Sequence, residues 1–248
     1  MKILVIRFSS IGDIVLTSPV VRWLSQLPNV EIHFLTKESF RQLVVHSPYV
    51  STVHTLADAL NKTIATLKTE QYALVVDLHK NLRSKKITKA LATEVLSFDK
   101  LNIKKWLFVN FKINTMPQKH IVDRYAEGLR SLKIDTTNRS IDFHFPKDFD
   151  FELATVSLAA KSYICLVIGG TYSTKQLPIS LIQSLFKQLK QPIVLLGGGS
   201  SDVKKATQLM QNAPDNVVNL VNKTSLTESA FIIKESLGII TSDTGLMH

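Results

Sequence analysis

The sequence predicts an α/β protein made of two Rossmann-like domains in series, residues 1–145 and 146–248. Three observations carry that reading. Short apolar runs rich in Val, Ile and Leu alternate with longer stretches of helical periodicity, the pattern of parallel strands covered by helices. The alternation runs twice, and a polar, irregular stretch at residues 133–150, with Pro146 inside it, separates the two series. Several strands run into turns bearing glycine or serine, at residues 9–13, 169–175 and 197–202, where open parallel sheets bind their ligands.

The elements follow in order. Ile3-Leu4-Val5-Ile6 is a buried strand, and Ser9-Ser10-Ile11-Gly12-Asp13 is the tight loop after it. An apolar helix follows through Val20, Val21, Leu24 and Leu27, with Pro19 near its first turns. A strand at 31–35 leads to a helix at 38–46, which Ser47-Pro48 stops. A short strand near 50–54 precedes a helix at about 57–68, and 72–77 is another buried strand. The pattern blurs between 101 and 115, then resumes with a helix at 121–132. The second series reads strand 163–168, helix 179–189, strand 193–196, helix near 202–210, strand 217–220, helix 226–234 and strand 238–240.

Composition excludes several classes. With 248 residues, 45% hydrophobic and 20% charged, and a mean hydropathy of +0.11, the chain is neither disordered nor low-complexity. The single cysteine, Cys165, excludes an intramolecular disulfide framework and Cys-rich zinc modules; it sits in an apolar strand as inert core. No apolar run approaches the roughly 18 residues of a membrane span, and the first residues lack a secretory signal's apolar core. A cytoplasmic protein is the expectation.

The net charge of +10 is unevenly placed. Residues 80–139 hold 14 Lys/Arg against 5 Asp/Glu, net +9, while residues 1–79 come to +1 and 140–248 to 0. The field centres on Lys80, Arg83, Lys85, Lys86, Lys89, Lys100, Lys104, Lys105, Lys112 and Lys119. It suits an anionic partner: nucleic acid, lipid headgroups or an acidic substrate. Trp106, Phe108 and Phe111 lie beside it, as on a membrane-surface patch or on a buried helix face.

Three turns could carry chemistry. Asp13, just past the first strand, is either a general base or a helix cap, and spacing leaves both open. Gly169-Gly170-Thr171-Tyr172-Ser173-Thr174-Lys175 offers backbone N–H groups, hydroxyls and one ammonium to a diphosphate, without the frame of a Walker A loop. Thr241-Ser242-Asp243-Thr244-Gly245-Leu246-Met247-His248 follows a buried strand. Weaker signals are Asp202, either a ribose ligand or a helix cap; the D-x-D form of Asp148-Phe149-Asp150; and Asp77-Leu78-His79, too few groups for a metal site.

Taken together, these segments resemble glycosyltransferase family 9, the lipopolysaccharide heptosyltransferases. The resemblance is carried in order by residues 1–19, by Val75-Val76-Asp77-Leu78-His79-Lys80-Asn81-Leu82-Arg83-Ser84, by His120-Ile121-Val122-Asp123-Arg124-Tyr125, by Thr171 with Lys175 and Pro178, and by Asp243-Thr244-Gly245-Leu246-Met247-His248. It implies a GT-B fold, with the acceptor on the first domain and the sugar nucleotide mostly on the second. It implies inverting transfer of heptose from ADP-heptose to the acidic lipopolysaccharide inner core, with no metal or other cofactor. Asp13 would be the catalytic base. Thr171, Lys175, Asp243, Thr244, Gly245 and His248 would bind donor phosphate and sugar, and Ser10, Gly12, His79 and Arg83 would face the acceptor.

Leu177 stands where the family often has an aromatic, and the turn at 197–202 lacks an acidic residue often found slightly earlier. The expected location is the cytoplasmic face of the inner membrane, in peripheral contact, with no nucleic-acid partner. Two domains of about 150 residues need roughly 300, so the second is expected to be incomplete after His248. The competing expectation is a non-catalytic protein that holds a sugar nucleotide or an acidic glycan.

Overall fold

A computed structural model describes the whole chain except residues 101–105, 107–109, 113–116, 118, 171–175 and 248. Two compact units divide it, Met1–His144 and Phe145–His248.

The first unit contains β1 (Lys2–Ile6), α1 (Ile11–Val15), α2 (Ser18–Leu24), β2 (Glu31–Thr36), β3 (Thr52–Thr55), α3 (Leu60–Thr69), β4 (Leu74–Asp77), α4 (Leu82–Leu91), β5 (Glu94–Ser97) and α5 (Ile121–Gly128). Its sheet is parallel, in the order β3-β2-β1-β4-β5. The chain builds outward from β1 on one side, then returns to place β4 on the other. That reversal opens a crevice at the carboxyl ends of β1 and β4, where Ile6 pairs with Asp77.

Both faces of the sheet are covered, so β1 reads as a continuous apolar run. Ile3 and Val5 pack with Trp23, Phe34 and Tyr125 on one face. Leu4 and Ile6 pack with Leu35, Leu67, Val75 and Ile87 on the other. Each buried aliphatic side chain contributes about 1.5–3 kcal/mol.

Four local features differ from the sequence expectation. The helix after Asp13 is two short helices, because Pro19 has no N–H to continue the ladder and Thr17 turns its hydroxyl back to the Ile14 carbonyl. Residues 38–46 form a 3₁₀ segment, Glu38–Leu43, with no fully buried side chain to hold an α-helix on the sheet. α5 stops at Gly128, and a 3₁₀ turn, Arg130–Leu132, completes the segment. A Cβ on Gly128 would sit 2.5 Å from the Ser97 carbonyl oxygen, so only glycine lets α5 lie this close to β5. The stretch expected as linker is fastened to this unit through residue 142: Arg22 binds Asp142 and the Ser140 carbonyl, and the Trp23 indole donates to the Asn138 carbonyl.

The second unit contains β6 (Ile164–Val167), α6 (Ile179–Gln188), β7 (Ile193–Leu196), α7 (Ser200–Met210), β8 (Val217–Asn219), α8 (Leu226–Lys234) and β9 (Gly238–Ile240). Its parallel sheet has the order β8-β7-β6-β9. The reversal falls at β6 and β9, so the turn beginning at Gly169 and the turn at Thr241 leave neighbouring strand ends. Cys165 is fully buried in β6, and burial pushes its thiol up to about 11, as expected of an inert core thiol. Phe149 of the D-x-D segment packs on Phe231 with centroids 5.4 Å apart, while Asp148 and Asp150 face solvent. Among the described residues these carboxylates join no metal-ligating group, so the segment anchors a strand of chain by its aromatic ring.

Candidate active site

In the first unit the site is built on the carboxyl ends of β1 and β4. Ser10 is the N-cap of α1, and Asp13 is its third residue. The Asp13 carboxylate accepts from the Ser10 N–H at 3.2 Å and from the Ser10 hydroxyl at 2.9 Å. The structure therefore gives Asp13 a capping-box role, with Ser10 rather than Asp13 at the cap itself. The same carboxylate is 2.7 Å from the Arg7 guanidinium, and its side chain keeps 42% of its surface open. An Asp serving only as a cap needs neither the cation nor the opening.

Arg7 was not legible as a site residue. It follows the apolar run of β1 and is 8% exposed. Its guanidinium bridges three elements: it donates to the Ser9 carbonyl at 2.9 Å, to the Leu78 carbonyl at 2.5 Å, and pairs with Asp13. Burial works to raise the Asp13 pKa. The Arg7 charge and the Ser10 N–H and hydroxyl outweigh it and hold the carboxyl below its ordinary value. Asp13 is thus an ionised, partly open carboxylate at neutral pH.

Asp77, at the end of β4, is buried and fully engaged. Its Oδ1 accepts from the His79 and Lys80 N–H groups, both at 2.9 Å, and its Oδ2 accepts from the Ser84 hydroxyl at 2.8 Å. It fixes the turn that carries His79, whose ring packs tilted on Phe8 at 4.7 Å. The His79 Nδ1 is buried and has no hydrogen-bond partner among the described residues. Burial, then the charges of Arg7 and Lys100, push the His79 pKa down to about 4. The expected result in an NMR titration is an imidazole that stays neutral until the pH nears 4, against about 6.5 for an unperturbed histidine.

The basic stretch divides in two. Lys80 donates to the Phe98 carbonyl, Lys100 to the His79 carbonyl, and Lys119 pairs with Glu127, so these cations brace the fold. Arg83, Lys85, Lys86 and Lys89 stand exposed along α4, which buries only Ser84 and Ile87. Trp106 and Phe111 are 56% and 58% exposed and stack edge-on at 5.3 Å, so the reading as a buried helix face fails for them. Lys104, Lys105 and Phe108 lie outside the described residues.

In the second unit, Thr171 and Lys175 lie outside the described residues, as does His248. The flanks of the turn at 169–177 are described. Lys205 of α7 donates to the Ile168 carbonyl at 3.1 Å and to the Leu177 carbonyl at 2.6 Å, clasping both ends, and the Gln176 amide donates to the Gly170 carbonyl. Burial lowers the Lys205 pKa, while the neighbouring Asp202 works to raise it. Asp202 itself is 6% exposed and accepts from the Gly198 N–H at 2.9 Å. A Cβ on Gly169 would meet its Oδ2 at 2.3 Å. In this geometry Asp202, the third residue of α7, braces the β7–α7 turn, while the N-cap itself is Gly199. In the turn after β9, Thr241 and Thr244 exchange a hydroxyl contact at 3.2 Å, Asp243 is exposed, and Gly245–Met247 closes as a 3₁₀ turn.

The family model for glycosyltransferase family 9 (heptosyltransferase) matches residues 60–248. This chain belongs to glycosyltransferase family 9. It is a heptosyltransferase-like enzyme of lipopolysaccharide biosynthesis. Among curated proteins, lipopolysaccharide heptosyltransferase 1 of Campylobacter coli is 25% identical over 275 residues, covering 100% of this chain and 80% of that one. Its counterpart from Pseudomonas aeruginosa is 22% identical, covering 100% and 75%. Among solved structures, a family 9 glycosyltransferase from Veillonella parvula superimposes with a TM-score of 0.82 at 19% identity, covering 100% of this chain and 76% of that one. ADP-heptose lipopolysaccharide heptosyltransferase II of E. coli superimposes at 0.76 and 20% identity, covering 100% and 81%. These likenesses give the family 9 chain a GT-B fold.

Of the residues expected in the first unit of this family 9 enzyme, Ser10, Gly12, Asp13 and His79 gather at the β1 and β4 ends, while Arg83 stands on the exposed side of α4. Arg7 and Lys205 are the two positions that sequence reasoning missed. The only signal for either was a cation next to a fully apolar strand or inside an amphipathic helix.

Proposed function

We propose that this enzyme transfers heptose from ADP-heptose to the acidic inner core of lipopolysaccharide, with inversion and without a metal ion. The observation that carries the reading is the half-open Asp13 carboxylate held ionised by Arg7 at the mouth of β1. Asp13 takes the proton from the acceptor hydroxyl as its oxygen attacks the anomeric carbon. The bond from that carbon to the diphosphate breaks, ADP leaves with the electron pair, and the configuration inverts. Negative charge then grows on the diphosphate. Lys175, Thr171 and the backbone N–H groups of Thr244 and Gly245 would stabilise it in a metal ion's place, with Asp243 and His248 at the sugar.

The likeness to E. coli heptosyltransferase WaaC, solved with ADP and with ADP-2-deoxy-2-fluoro heptose, supports an adenine nucleotide donor at 22% identity. Ser10, Gly12 and His79 would face the acceptor. The exposed cations of α4, with Trp106 and Phe111, suit an anionic glycolipid at the inner face of the cytoplasmic membrane. No described helix is long and apolar enough to cross that membrane.

The test is product analysis. The protein, ADP-heptose and an inner-core acceptor should yield ADP and an acceptor heavier by one heptose, linked with inverted anomeric configuration, equally well in excess chelator. ADP binding without turnover would leave a binding protein, and retention of configuration would remove the one-step mechanism.

Lys205 positions the donor turn without touching the donor. Lys205→Met removes two hydrogen bonds from a charged donor, each worth about 1.5–3 kcal/mol. The expected result is a rise of about tenfold in KM for ADP-heptose, with kcat changed much less.

A further inference from the structure

A second constellation lies on the β2–β3 side of the first unit's sheet, and the transfer reaction makes no use of it. His33 stands near the start of β2, His54 on the neighbouring β3, and Glu70 and Tyr72 in the connection from α3 to β4. His33 is 2% exposed, whereas His54 and Glu70 reach partly into solvent. The His33 Nδ1 is 3.1 Å from the His54 Nε2 and 4.0 Å from a Glu70 carboxylate oxygen. The Tyr72 hydroxyl is 2.8 Å from the first nitrogen and 3.1 Å from the second. One ligand atom from each of His33, His54 and Glu70 falls within a span of 4.8 Å.

We propose that His33, His54 and Glu70 form a structural site for a divalent transition-metal ion such as zinc, with the Tyr72 hydroxyl beside the fourth position. Zinc–nitrogen bonds of about 2.0–2.1 Å in a tetrahedral site put two ligating nitrogens about 3.3 Å apart, close to the spacing of the two imidazoles. The donor set, two imidazoles and a carboxylate, is one that zinc accepts.

The surroundings fix the chemistry of the buried imidazole. Glu31 Oε1 is 2.8 Å from the His33 Nε2 and accepts its proton, so the Nδ1 keeps its lone pair and turns it toward His54. A carboxylate behind a histidine is the usual support of a metal ligand. Glu70, 4.0 Å from the His33 Nδ1, must swing inward to complete the set. It follows the last residue of α3 and is held by Lys2 at 2.7 Å, a partly exposed ion pair that is weak beside direct coordination. The site would tie β2 and β3 to the α3–β4 connection. It sits on the β2–β3 side of the sheet and on the α3–β4 connection, whereas Asp13 follows β1 and pairs with Arg7, so its ion is no cofactor of transfer.

The experiment uses the full 248-residue chain, stripped of metal and titrated with Zn²⁺ by calorimetry and with Co²⁺ by visible absorption. The expected result is one ion per chain, a tetrahedral Co²⁺ spectrum, and a zinc-dependent rise in Tm. His54→Gln and Glu70→Gln replace partly exposed side chains and keep the fold. Each should weaken zinc binding at least tenfold and abolish the Tm rise, while metal-free melting stays near that of the wild type. Absence of stoichiometric binding would overturn the proposal and leave the four side chains as a hydrogen-bonded brace. Binding that survives His54→Gln unchanged would also overturn it, by placing the ion on other histidines.

Discussion

Asp13→Asn is expected to lower kcat for heptose transfer by about 10²–10⁴-fold, the range contributed by a general base. The amide is nearly isosteric, and its oxygen can still accept from the Ser10 N–H and hydroxyl, so the capping box of α1 survives. The fold and the affinity for ADP should therefore be kept, with stability lowered only by the loss of the Arg7 ion pair. Asp13→Ala removes the cap as well and costs roughly a further 1 kcal/mol of stability. Comparing the two variants separates chemistry from folding. If both variants lose transfer and Asn stays folded at the assay temperature, the carboxylate acts as a base. If Asn retains transfer, Asp13 is only a cap.

Arg7→Met should give the largest combined effect on stability and rate. The guanidinium is buried and satisfies the Ser9 and Leu78 carbonyls and the Asp13 carboxylate together. Methionine fills the stem's space, leaves the two carbonyls without this donor and leaves Asp13 without its cation. The expected loss is about 2–4 kcal/mol of stability at neutral pH, seen in denaturant unfolding. The pH dependence follows from the depressed Asp13 pKa. A carboxyl whose folded pKa lies below its unfolded value adds stability above that unfolded value, about 3.9 for Asp. The contribution disappears as the pH falls through the folded pKa. The gap between wild type and Arg7→Met should accordingly narrow in acid. Arg7→Lys keeps the charge but cannot reproduce the three-way fork, so it should recover part of the rate and little of the stability.

The parts of this protein that its sequence disclosed are those where one physical pressure dominates. β1, β4, β6 and β7 are covered on both faces, and their unbroken apolar runs follow from that. The strand order was not readable, yet it decides the site: β1 beside β4 brings residues 9–13 against 77–79, and β6 beside β9 brings the Gly169 turn near the Thr241 turn. α4 and β5 escaped notice because they carry no apolar period. α4 buries two small or medium side chains, and the edge strand β5 exposes Glu94 and Val95. Asp202 was ambiguous for another reason. A buried turn brace and a ribose ligand use the same residue type after the same strand, and only its inward-facing Oδ2 distinguishes them. Arg7 was hidden because its role is three-dimensional: Leu78 is 71 residues away in sequence.

The most direct test of the account is the pH dependence of kcat/KM for ADP release by the wild-type enzyme. An Asp13 base held ionised by Arg7 is expected to give an acid limb no higher than about pH 4, with a level rate through neutrality. His79, neutral above about pH 4, adds no inflection near pH 6.5. An acid limb between about pH 6 and 7, unmoved by Arg7→Lys, would show that an ordinary histidine takes the proton and would contradict the assignment of Asp13.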